Sequence, residues 1–304
     1  MSSTAAVTEQ STGKNAPTGE DDPARKSHPG LIVLAIFVAW IVLSRLTVLI
    51  SGPTKHWDAP SAEDFIFPNW FGTSWFNKPM LLALIGAAGV LVFWLVASRH
   101  LKSVPGRGQF FAEYVYGFVR NIGRDMIGPG YHRFMPYLLT LFSFILVSNW
   151  FGETFLFMFP TFSRVSFAYA GAALTFAVYV ISGFRTHGGS YLKVATVPSG
   201  VPVWLFPVIV PLEFLSSFIT RPVTLSVRLF ANMFAGHMSI MVFIGGGAAL
   251  LTWANNAFYN VTGVVSMMFG MLMLLLELFI GFLQAYIFTI LAAQYIGSSV
   301  GEAH

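Results

Sequence analysis

Apolar residues run in long blocks along most of this chain, over 31–51, 80–98, 134–150 and 166–183 and then over two longer regions, 201–251 and 261–296. A helix that crosses a bilayer needs roughly 20 mostly apolar residues, and these blocks approach or exceed that length. Hydrocarbon offers no partner to a free backbone amide, so such blocks must be helices or a closed barrel. The strict apolar/polar alternation of a barrel strand is absent. The pattern predicts an all-α integral membrane protein with about six membrane-embedded helices, the last two of them long.

The segments between the blocks carry their own signals. Residues 1–30 are rich in Ser, Thr, Ala, Pro and acidic side chains, too polar to build a core, and are expected to form a disordered N-terminal tail. The run 31–51 is longer than the ~7 to 15 apolar residues of a signal peptide, and no small-x-small cleavage site follows it, so it reads as an additional, retained transmembrane helix. Residues 52–79 hold Pro53, Pro60 and Pro68 among Trp57, Phe65, Phe67, Trp70, Phe71, Trp75 and Phe76. Tryptophan favours membrane interfaces, which predicts an extracytoplasmic aromatic loop. Over 109–127, Phe110, Phe111, Tyr114, Val115, Phe118 and Ile122 recur near helical period while Glu113, Arg120, Arg124 and Asp125 interleave. That pattern predicts an amphipathic helix lying on the cytoplasmic face. Residues 80–304 are expected to form one membrane domain.

Composition agrees, with 55% hydrophobic and 10% charged residues against about 25% charged in a soluble domain. The net charge of +4 raises nucleic acid as a partner, but the basic residues lie in the connections and form no stripe interleaved with aromatics, which excludes it. Arg25, Lys26, Arg99, Lys102, Arg107, Arg120, Arg124, Arg133, Arg185 and Lys193 all flank one side of the predicted spans. Lys55, Lys78, Arg164 and Arg45 are left for the other. The positive-inside rule makes the first side, and the N-terminus, cytoplasmic. The chain has no cysteine, so neither a disulfide nor a thiolate metal site can form. No cofactor or metal is expected. No internal repeat is visible, which gives an inverted-repeat transporter no support.

An ionisable side chain at the centre of a membrane helix costs ~2.5 to 3.5 kcal/mol on insertion scales, so each one in an apolar block is a functional candidate. After Phe134 the carboxylates are Glu153, Glu213, Glu277 and Glu302, and the last basic side chain, histidines aside, is Arg228. Arg221, Leu225, Arg228 and Asn232 follow steps of four, three and four and share a helical stripe. Ser226, Ala231, Ala235 and Gly236 are small enough to admit a close neighbouring helix. Glu277, Gly281 and Gln284 form a second polar stripe, fit to wall a narrow wet path. His237 is a partner with which Glu277 can exchange protons near neutral pH.

Each residue also has a plainer reading. Arg228 can snorkel to a headgroup or pair inside the chain with Glu213 or Glu277, and Arg221 can snorkel. Asn232 can tie two helices together, His237 can be a hydrogen-bonded interface residue, and Glu277 can be a protonated carboxyl on a backbone carbonyl. Glu153 reads as a solvated loop charge and Glu213 as a helix-start charge, and with Arg221 they are secondary channel candidates.

The runs Arg228-Leu-Phe-Ala-Asn232-Met and Gln284-Ala-Tyr resemble the two signature runs of subunit a of F-type ATP synthases, a stator channel subunit. The resemblance spans roughly 57–296, with the spans and the amphipathic segment in the family order; the helix over 31–51 is additional to it. It implies that the two long C-terminal helices pack against a c-ring. Arg228 would face the essential carboxylate of each passing c subunit while two offset half-channels deliver and remove protons. It also implies a peripheral stalk of the subunit b type, contact with membrane lipid, and residence in a bacterial plasma membrane. His237 and Glu277 stand in the order that some members exchange. No Walker-type loop is present, so nucleotide chemistry is expected on another subunit. The competing reading is a self-contained proton- or ion-coupled secondary transporter, in which Arg228 holds an anionic substrate while His237 and Glu277 relay protons. An intramembrane enzyme is disfavoured, because no His-Glu-x-x-His motif or paired aspartates occur.

Overall fold

A computed structural model describes residues 57–67, 76–99, 106–154, 159, 161–197, 202–253 and 257–301, together with positions 38, 39, 42 and 46. The tail predicted for 1–30 lies outside the described residues. So does the run 31–51, apart from Val38, Ala39, Val42 and Leu46, which are helical.

Eight α-helices are described: α1 (Lys78–Arg99), α2 (Arg107–Ile127), α3 (Met135–Glu153), α4 (Val165–His187), α5 (Tyr191–Thr196), α6 (Phe206–Leu215), α7 (Arg221–Trp253) and α8 (Ala257–Val300). Among the described residues there is no strand. Among the described residues, five stretches are long and apolar enough to cross a membrane: Lys78–Arg99, Met135–Glu153, Val165–Lys193, Phe206–Thr252 and Ala257–Val300. The sixth predicted crossing is the run 31–51.

Helix α2 is the predicted amphipathic helix. It buries Ala112, Val119, Ile122 and Gly123 and exposes Glu113, Arg120, Arg124 and Asp125. It stops at Gly128, whose φ of 76° is a left-handed conformation that glycine adopts without strain.

The block 201–251 is more broken than its hydropathy suggests. Helix α6 continues into α7 through a π-helical turn, Ser216–Thr220, in which the Arg221 N–H donates to the Ser216 carbonyl. The residue that follows, Pro222, has no N–H to give and its ring crowds the carbonyl four residues back, so a widened turn here relieves both problems. The Tyr179 hydroxyl donates to the Ser217 carbonyl at 2.6 Å and ties the turn to α4.

The main core joins α2, α3, α4, α7 and α8 through Val119, Leu138, Phe142, Ala172, Tyr179, Leu229, Phe288 and Ile296. Helices α7 and α8 run antiparallel in steady register, pairing Arg221 with Tyr295, Asn232 with Gln284, and Gly236 with Glu277. Their far ends meet at two glycines, where a Cβ added to Gly263 would lie 2.9 Å from the Gly247 carbonyl oxygen. Small residues permit such close approach, which membrane helices use in place of a hydrophobic drive. On its outer side α8 exposes Val261, Val265, Met268, Leu272, Phe279 and Leu283. They form one apolar stripe at helical spacing, suited to hydrocarbon or another helix.

Candidate functional site

The register of α7 and α8 brings most of the predicted site residues together. Asn232 donates from Nδ2 to Gln284 Oε1 at 2.9 Å, which joins the two polar stripes. One turn further along, Glu277 packs directly on Gly236, where any Cβ would collide with its carboxylate. Glycine is therefore required at 236 to seat Glu277, one residue from His237. Both ionisable groups are buried, Glu277 at 4% exposure and His237 at 7%.

Helix α3 closes this row from the other side. Asn149 donates from Nδ2 to the Gly281 carbonyl at 3.0 Å, and Trp150 donates from Nε1 to the Leu278 carbonyl at 3.3 Å. The two bonds fix an antiparallel register that sets Glu153 opposite Glu277. The expectation of a solvated loop charge is corrected here. Glu153 is the last residue of α3 and is only half-exposed, because the helix runs to its end against α8.

This row is polar without being saturated. Ser148 Oγ, Asn149 Oδ1, Glu153 Oε1, Glu277 Oε1 and Gln284 Nε2 are all buried with no hydrogen-bond partner among the described residues. Buried polar atoms are ordinarily paired, and a run of unpaired ones along a single path is what water or a migrating proton would satisfy.

Arg228 stands at the end of this row and apart from it. It lies on the exposed face of α7 with Thr224, Val227, Ala231 and Ala235, and no carboxylate pairs with it among the described residues. The internal pair with Glu213 or Glu277 is therefore not formed. The predicted stripe divides, since Leu225 is buried in the core at 2% exposure while Arg228 and Asn232 are exposed. It follows the border between the two faces of α7. The small residues divide likewise: Ser226 is fully buried and Gly236 faces Glu277, which leaves Ala231 and Ala235 beside Arg228 on the open side.

On the other side of Arg228, Arg221 and Glu213 form an ion pair at 3.9 Å, and the Arg221 guanidinium lies over the Tyr295 ring at 5.1 Å. Arg221 thus has local partners in place of a headgroup. Glu213 sits in the last turn of α6 rather than at a helix start, because the helix begins at Phe206 and passes through Pro211.

Asn149 and Ser148 carry no charge and belong to neither polar stripe, so the sequence does not single them out. The available signal was a Ser-Asn pair inside the apolar block 134–150. The sequence pattern marks Phe65 only as part of an interfacial loop. In the structure its ring lies 5.9 Å from that of His237, edge-on, and 4.7 Å from Phe234. Among the described residues no group of three or more His, Asp or Glu side chains has the geometry to hold a metal ion.

Long apolar helices around an internal row of polar side chains, with a lone arginine at its end, define the class of helical membrane subunits that move ions. Comparison with known proteins specifies the member. The family described as ATP synthase A chain matches residues 80–297. The chain is similar to ATP synthase subunit a of Nocardioides sp., with 42% identity over 259 residues that cover 81% of this chain and 94% of that protein. It is also similar to ATP synthase subunit a of Pseudarthrobacter chlorophenolicus, 41% identical over 238 residues, or 77% and 89% of the two chains. A third relative, ATP synthase subunit a of Gluconobacter oxydans, is 38% identical over 227 residues, or 75% and 89%. The chain belongs to the ATP synthase A chain family.

Proposed function

We propose that this chain, as the proton-translocating stator subunit of its family, works by holding Arg228 as a fixed cation between two separate polar paths. The observation that carries this reading is the position of Arg228, exposed and unpaired on α7, between two polar groups. One group is Asn232, Gln284, Asn149, Glu277, His237 and Glu153; the other is Arg221 and Glu213. The partner that completes Arg228 is a mid-membrane carboxylate on a ring of small c-type subunits, met across Ala231 and Ala235.

The charges then dictate the cycle. An arginine and a carboxylate ~4 Å apart attract by about 4 kcal/mol at an effective dielectric near 20, equal to roughly three pK units, so a rotor carboxylate beside Arg228 gives up its proton. Once rotated toward lipid it has no cation and must be protonated. The row that holds His237, Glu277 and Gln284 lines the outer half-channel, and Glu213 with Arg221 marks the cytoplasmic one. Arginine remains charged at physiological pH, so Arg228 also blocks a direct leak between them. Each proton crossing ~100 mV releases about 2.3 kcal/mol, and rotation accumulates several such steps. The setting is a bacterial plasma membrane, with a b-type peripheral stalk holding the chain still, and ATP chemistry takes place on other subunits.

Replacing Arg228 by Ala tests the reading. ATP-driven proton pumping by the assembled complex, followed by quenching of a pH-sensitive dye in inverted vesicles, should vanish while the subunits still copurify. Normal pumping would reject the assignment.

A further inference from the structure

The outer polar row approaches the surface at two places, and the two are finished differently. At His237 it is closed. The segment 57–67 is largely exposed, yet Phe65 turns inward and is 5% exposed, within a small apolar cluster with Leu82 and Phe159 against which Phe234 and Met238 pack. The cluster is separate from the main core and covers the His237 ring. The turn that carries Phe65 is fixed in place. Ser61 Oγ accepts from the Glu63 N–H at 3.3 Å, and Asp64 Oδ2 accepts from the Ser61 N–H at 2.8 Å. Further along, Trp57 lies against α7, where a Cβ added to Gly246 would be 3.3 Å from its ring. Phe65 also lines a cavity of about 380 Å³ that reaches Arg164 and Ser166. The Phe65 ring thus lines that cavity and also lies edge-on to His237.

At Glu153 the row is open. The residue is half-buried at the helix end, and its Oε1 is buried without a partner. Glu153 thus ends α3 at the edge of the row, with a carboxyl oxygen inside it. The groups able to take part here are Glu153 from α3, Glu277 from α8 and His237 from α7. Asp58, Glu63 and Asp64 on the covering segment are exposed.

We propose that Phe65 seals the His237 end of the row and so makes Glu153 the point at which protons are taken up from the outer side. Glu153 accepts a proton from bulk water, and that proton passes to Glu277 and on toward Gln284 and Asn232. Only O–H bonds are made and broken, and one proton enters for each one delivered. An apolar constriction excludes a water file by dewetting, which is how Phe65 directs the traffic. The inference rests on the proposed proton path, but the seal can be measured independently of it.

A double mutant decides the matter in the assembled complex. Glu153→Gln should slow proton pumping about a hundredfold, within the usual loss when a proton-transfer group is removed. Adding Phe65→Ala should restore most of the rate, because it opens the second way in at His237. If Glu153→Gln pumps normally, or the double mutant stays as slow as the single one, the proposal is overturned. Assembly is scored first by copurification, and Phe65→Val replaces Phe65→Ala if the latter fails to assemble. The chain has no cysteine, so His237→Cys is a clean reporter. A membrane-impermeant thiol reagent added from the outer side should label it slowly behind Phe65 and many times faster once Phe65 is truncated. Equal labelling rates would reject the seal. Normal pumping by Arg228→Ala would reject the underlying path and leave the labelling result standing.

Discussion

Arg221 and Arg228 lie two turns apart on one helix, yet their surroundings are opposite. Arg221 has Glu213 at 3.9 Å and the Tyr295 ring beneath it, so its charge is met inside the chain. Arg228 is exposed, has no carboxylate partner among the described residues, and is flanked by alanines. A cation with its own counter-ion is a structural part, whereas one left exposed at a small-residue surface is held ready for a counter-ion that arrives from elsewhere. Hydropathy treats the two arginines alike, and only their partners separate them.

The largest expected effect comes from changing the kind of cation at the open position. Arg228→Lys should abolish coupled pumping and open a passive leak in vesicles stripped of the catalytic sector, since a lysine enclosed there by the ring subunits loses its proton readily. A tight, fully coupled membrane would refute the blocking role of arginine. Glu277→Gln should follow, slowing proton conduction about a hundredfold through loss of a transfer group, as measured by the rate of pH change in the same vesicles. An unchanged rate would make Glu277 structural. Next comes Gly236→Ala, whose methyl group must displace the Glu277 carboxylate. Overpacking of this kind costs ~1 to 3 kcal/mol, and pumping should fall about tenfold with normal assembly. Arg221→Gln should have the smallest effect, below about fivefold, because a partly exposed ion pair is worth ~0 to 1 kcal/mol. If Arg221→Gln were as damaging as Arg228→Lys, the contrast between the two arginines would collapse.

How much of this was legible in the sequence depended on whether a residue announced itself. A charge in an apolar block is conspicuous, so Arg228, Glu277, Arg221, Glu213 and Glu153 could all be marked in advance, and helical spacing alone put Glu277, Gly281 and Gln284 on one face. The start and end of α2 were readable to within two residues, because its polar and apolar positions alternate at a helical period. Asn149 was not readable. Its meaning lies in a bond to the Gly281 carbonyl 132 positions away, and no local pattern encodes that register. Nor did spacing tell that Leu225 turns into the core while Arg228 stays out, since both lie near the border of one stripe and neighbouring helices decide which side each falls on. The setting of Glu153 is hidden for the same reason: a charge at the end of a span looks solvated until the helix packed against it is known.

The steady antiparallel pairing of α7 with α8 has a further consequence for how this chain can vary. Inserting or deleting one residue within either helix would rotate everything beyond it by about 100° and part Asn232 from Gln284 and Gly236 from Glu277 together. The wide turn Ser216–Thr220 lies just ahead of that paired stretch and already holds one residue more than an α-helical turn requires. It is the place in the C-terminal half where chain length can drift by a single residue without disturbing the alignment downstream, a point of slack next to a segment that tolerates none.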